Sequence, residues 1–116
     1  MKSIIIASFL AAAIAAPALA QPMAPMPGMA SPADQSFASG MAAMSQTMQA
    51  APMTGDADRD FVAMMLPHHQ GAVAMAKTEL QYGKDPELRH MAQDIIAAQD
   101  KEILQMRAWQ QAHPAK

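Results

Sequence analysis

The residues best suited to chemistry are concentrated in one run, Met64-Met65-Leu66-Pro67-His68-His69-Gln70-Gly71-Ala72-Val73-Ala74-Met75-Ala76. Two imidazoles stand among thioethers on what otherwise reads as an apolar helix. Thioether sulfur and imidazole nitrogen together suit a soft monovalent cation, Cu(I) or, by the same softness, Ag(I). The chain of 116 residues holds 13 methionines and no cysteine. A thioether needs no deprotonation before it binds a metal, unlike a thiol, and its weakness is oxidation to the sulfoxide.

Three helices must position these groups. Ser31-Pro32-Ala33-Asp34 has the form of a helix start, with a capping hydroxyl, proline at the first helical position and a carboxylate three residues on. The helix it opens carries Phe37, Met41, Met44 and Met48 on one face and ends at Pro52 and Gly55. A second helix is expected from Asp56 or Asp58 to Tyr82, with Gly83 as its stop. On it Phe61, Met64, Met65, His68, Ala72, Met75 and Glu79 form one stripe, and Pro67 predicts a kink. Asp85-Pro86-Glu87 caps a third helix running to about Gln110, with Leu88, Met91, Ala92, Ile95, Gln99, Glu102, Met106 and Trp109 on its stripe.

No strand signal competes, so the expected fold is all-α. It is an antiparallel helical hairpin turning at Gly83-Lys84-Asp85, completed by the first helix or by dimerisation into a homodimer. Dimerisation is a natural remedy because a core drawn from so few helices is marginal.

An antiparallel hairpin with this turn sets Met64 and Met65 opposite Met106, His68 opposite the Gln99 to Glu102 turn, and Phe61 near Trp109. The expected metal ligands are therefore Met64 or Met65, His68 and Met106, with Glu102 and Gln99 as outer partners for the imidazole. Adjacent helix positions point about 100° apart, so His69 is expected off this seam. There it would reach a neighbouring helix, a second subunit or solvent, with Met65 one turn back. The bland alternative is that methionine merely fills a core. Against it stand the polar residues Gln99 and Glu102 on the facing stripe, which an apolar core does not need.

Before the helices, Met1-Lys2-Ser3, the apolar run Ile4 to Ala16 and Pro17-Ala18-Leu19-Ala20 have the pattern of a cleaved export signal over residues 1–20. Export to the periplasm or beyond the cell follows, with no membrane attachment after cleavage. Residues 21–33 then read as a Pro- and Met-rich tail. Its Met23, Met26 and Met29 recur every third residue and form a candidate capture arm for the same ion. The helical domain spans 34–116, with its motif core in 56–110.

The formal charge of −2 becomes −3 when Lys2 leaves with the signal, and no basic patch for nucleic acid exists. Glu87-Leu88-Arg89-His90 matches the Glu-x-x-His element of di-iron bundles but occurs once and lies off the apolar stripe. No Cys nucleophile, Gly-rich phosphate loop or convincing Ser–His pair is present, so the chain does not read as an enzyme.

The motifs Asp60-Phe61, Met64 to Ala72 and Met75-Ala76 resemble the signature of domain-of-unknown-function family 305 (DUF305). Ala92, Ile95-Ile96, Gln99, Glu102-Ile103, Met106 and Trp109 are similar to its second block. The resemblance implies a ferritin-like helical fold, export, and copper or silver binding through Met and His, as in its CopM-like periplasmic copper-binding members. It extends a metal role to His68, His69, Met64, Met65, Met75 and Met106. The function expected is copper sequestration, delivery or resistance, alongside other periplasmic copper-handling proteins. The alternative is a metal-independent helical interaction or chaperone-like module.

Overall fold

The computed structural model describes residues 31–115. The expected export signal and the Met23, Met26 and Met29 arm lie outside that range. Three helices follow one another: α1 (Pro32–Ala50), α2 (Ala57–Tyr82) and α3 (Pro86–Ala112). No strand occurs among the described residues, so the fold is an all-α helical bundle. None of these helices is long and apolar enough to cross a membrane.

Local chemistry explains each helix start. The Ser31 hydroxyl accepts the Asp34 N–H at 3.0 Å while Asp34 accepts the Ser31 N–H at 3.3 Å, a reciprocal cap. Asp56 accepts the N–H groups of Asp58 and Arg59. Asp85 does the same for Glu87 and Leu88, with Pro86 at the first helical position.

The α1–α2 connection is folded back by Asp60. Its carboxylate accepts from the Thr54 N–H and hydroxyl, both at 2.8 Å, and from the Gly55 N–H at 3.0 Å. Gly55 takes φ +82°, a left-handed conformation that glycine adopts without a Cβ penalty. The hydrogen bonds from Thr54, backbone first, hold the Asp60 carboxyl below the ordinary carboxylate pKa.

α2 runs through Pro67 as one helix from Ala57 to Tyr82 and stops at Gly83 as expected. Gly83 is extended there, φ −69° and ψ 149°. The exposed carbonyls are satisfied by Arg89, which donates to Leu80 O at 2.6 Å and Gly83 O at 3.0 Å.

The three helices form an open layer with α2 in the middle. α2 packs on both α1 and α3, which do not pack on each other. Toward α1 it turns Pro67, Gly71, Ala74 and Thr78. Thr78 bonds Ser36 at 2.7 Å, and a Cβ added to Gly71 would lie 2.5 Å from the Met44 sulfur. Small residues let the two backbones approach closely. Toward α3 the spacing 62-65-69-73-76-80 turns Val62, Met65, His69, Val73, Ala76 and Leu80. At about 100° per residue these two sets stand on roughly opposite sides of α2.

Among the described residues, two faces of the layer therefore stay open. The stripe expected to be core, Phe61, Met64, His68, Met75 and Glu79, lies on one of them. Phe61, Met64, His68 and Met75 are exposed. The buried apolar residues are Val62, Val73, Ala76, Ala92, Ile103 and Met106. The stripe was displaced because two neighbours, not one, cover α2.

Candidate metal centre

The antiparallel pairing of α2 and α3 sets the level of each group along the seam. Phe61 and Trp109 line one cleft, and Met65 and Met106 another. This is the pairing the hairpin geometry predicts. The rotation of α2 about its own axis is where expectation and structure part.

His69, not His68, turns into the seam. The His69 side chain is 12% exposed and its Nε2 is hydrogen-bonded to Glu102 Oε2 on α3. His68 is exposed, with its ring centroid 6.2 Å from that of His69. The placement of His68 as the inward imidazole is thus corrected by one residue, which is about 100° of helix rotation. Glu102 partners an imidazole as expected, but the neighbouring one. A signal for this was present in the sequence: the 3-4 spacing of Val62, Met65, His69, Val73 and Ala76 is a regular seam, whereas the heavier Met and Phe stripe beside it drew the assignment away.

His69 lines a cleft of about 300 Å3 with Phe61, Met65, Glu102, Gln105 and Met106. Met65 precedes His69 by four residues, so the two share a face of α2. Met106 is buried and comes from α3. Of the other expected ligands, Met64 and Met75 are exposed. Met75 instead lines a separate groove with Phe37, Leu88, Met91 and Ile95. Gln99 is half-buried, and its Oε1 is buried without a hydrogen-bond partner.

The electrostatics of His69 are specific. A carboxylate only accepts hydrogen bonds, so Nε2–H donates to Glu102, and in the neutral ring the lone pair resides on Nδ1. That Nδ1 is buried and has no hydrogen-bond partner. An orphaned imidazole lone pair with its opposite nitrogen fixed by a carboxylate is the arrangement that orients histidine as a metal ligand. Among the described residues no three His, Cys, Asp or Glu side chains converge on one point. A metal held at His69 would take its further ligands from the thioethers, which favours a soft cation.

The Glu87-x-x-His90 element stays on the surface. His90 Nδ1 lies 3.1 Å from Asp94 in an exposed pair one helical turn apart.

Residues 10–110 match the family described as Domain of unknown function (DUF305). The chain is a member of the DUF305 family. A curated relative, "Uncharacterized protein L153" of Acanthamoeba polyphaga mimivirus, is 39% identical over 49 residues. That match covers 42% of this chain and 32% of the viral protein, so the chain spans about a third of that relative's length. In this DUF305 chain the matched region takes in the His68-His69 motif, the seam and Glu102.

Proposed function

We propose that this DUF305 protein binds Cu(I), and by softness Ag(I), outside the cytoplasm, as a non-enzymatic sequestration, delivery or resistance protein of the CopM-like kind. One observation carries the reading: His69, whose Nδ1 is buried and unpartnered, lines the same cleft as Met65 and Met106, while Glu102 anchors Nε2. Two thioethers and one imidazole form a low-coordinate soft site, and the carboxylate behind the ring raises its basicity. Met23, Met26 and Met29 would add a capture arm, and the expected export signal would bring the chain to the compartment where cysteine is least dependable.

The test is native mass spectrometry of the chain from Gln21 with Cu(I) under reducing conditions, in competition with a chromophoric Cu(I) chelator. Retention of at least one ion per chain is expected, with that ion lost in His69→Ala. Complete transfer of copper to the chelator overturns the reading.

A second reading is a metal-independent helical interaction module. The observation favouring it is the open apolar face carrying Phe61, Met64, Met75, Leu88 and Met91. Under that reading the chain's associations are indifferent to copper and to His69→Ala.

A further inference from the structure

We infer that the open apolar face of the layer is where a second copy of this chain docks, with Phe61 of each copy seated in the groove of the other. α1 and α3 flank α2 from roughly opposite sides, so this face has no covering element among the described residues. It exposes Phe61 at 57%, Met91 at 56% and Leu88 at 49%, together with Met64 and Met75. Glu79 lines the groove on this face, while Lys77, Asp100 and Arg107 line a cleft built from the opposite sides of α2 and α3. A surface patch depleted in charge and rich in Met and Phe has the composition of an interface core.

Area points the same way. No described side chain is fully buried within one copy. The exposed apolar side chains of this face amount to roughly 400–500 Å2, within the ~300–600 Å2 of a monomer's largest and often functional patch. That is more than half of the ~800 Å2 per partner that a stable interface buries.

The choice of a second copy rests on self-complementarity. The face carries both a knob and a hole. The knob is the exposed Phe61 ring; the hole is a groove of about 250 Å3 lined by Phe37, Met75, Leu88, Met91 and Ile95. An apolar cavity of about 150 Å3 already holds benzene. Phe61 and Met75 share the face, and His68 is midway between them in sequence and on the same stripe. A two-fold axis lying in the face, across α2 at the level of His68, sets the two faces against each other and exchanges the two ends, bringing each Phe61 to the partner's groove. An isologous contact of this kind closes on itself and stops at a dimer.

The experiment is analytical ultracentrifugation of the metal-free chain from Gln21, which keeps it independent of the copper reading. A dimer is expected at tens of micromolar, and Phe61→Ala should raise its dissociation constant at least tenfold with the circular dichroism helicity unchanged, since Phe61 is exposed in the single copy. A monomeric wild type, or a Phe61→Ala dimer of undiminished strength, overturns the inference. Cross-linking supplies a geometric readout. The chain has no cysteine, so a single introduced one can form a disulfide only across two copies. Oxidised His68→Cys, at the two-fold axis and outside the Phe61 contact, should run as a covalent dimer on a non-reducing gel, and Leu104→Cys, on the opposite face, should not. Equal cross-linking of both variants also overturns it.

Discussion

His69 on α2 and Glu102 on α3 are joined across the seam by a hydrogen bond between Nε2 and the carboxylate, and this pairing leaves Nδ1 of His69 buried and unpartnered. The pair fixes the rotation of α2 against α3. It also fixes which imidazole nitrogen is free to coordinate. Glu102→Gln keeps an acceptor but removes the charge behind the ring. It should weaken Cu(I) or Ag(I) binding about 10- to 100-fold, the range for loss of an outer-sphere partner, as read by chelator competition.

The same site predicts a contrast between neighbours. His69→Ala, Met65→Leu and Met106→Leu should each weaken Ag(I) binding, the leucines preserving packing volume while removing sulfur. His68→Ala and His90→Ala should leave this site's affinity within about twofold, because neither side chain lines the cleft. Isothermal titration with Ag(I) separates the two groups. Equal losses at His68 and His69 would argue against the seam.

Gly71 tests the close approach of α1 and α2. A Cβ there would meet Met44 Sδ at 2.5 Å, Cγ at 3.0 Å and Cβ at 3.1 Å. Gly71→Ala should destabilise by about 1–3 kcal/mol through overpacking, measured by urea unfolding. Adding Met44→Ala should recover part of the loss.

Arg89 closes the C-terminal end of α2 through two carbonyls. Arg89→Met should cost about 1.5–2 kcal/mol, the lower part of the range for charge-assisted hydrogen bonds, because the side chain is only half-buried. Hydrogen exchange should show the last turn of α2 opening first.

Asp60 sets an acid limit. Its carboxyl has a lowered pKa in the folded chain, so its contribution is fully present above the ordinary value of 3.8 and is lost as pH falls through the lowered value. Asp60→Asn should lower the melting temperature at pH 7. The gap from wild type should narrow as both are acidified to about pH 2. Thermal melts followed by circular dichroism at the two pH values check this.

Much of the fold was legible in local chemistry. The caps Ser31, Asp56 and Asp85 stand at the three helix starts, because a short polar side chain before an apolar-periodic segment has few other uses. The turn at Gly83 to Asp85 was equally legible, and with it the levels at which Met65 faces Met106 and Phe61 faces Trp109. Asp60 was less so: it reads as one more surface carboxylate among Asp56, Asp58 and Asp60, and only the returning loop gives it three donors.

The sequence by itself determined the helices, their ends and their antiparallel register, since periodicity, capping and a short turn act over a few residues. Only the tertiary structure decided the rotation of α2. Periodicity marks stripes but not which neighbour covers them. Small residues at Gly71, Ala74 and Thr78 drew α1 to one side, and α3 took the Val62, Met65, His69 seam on the other. Between them the bulky Phe61, Met64, His68 and Met75 stripe was left facing outward. The two adjacent histidines therefore have different surroundings, one turned into a cleft with two thioethers and the other lying on the open apolar face.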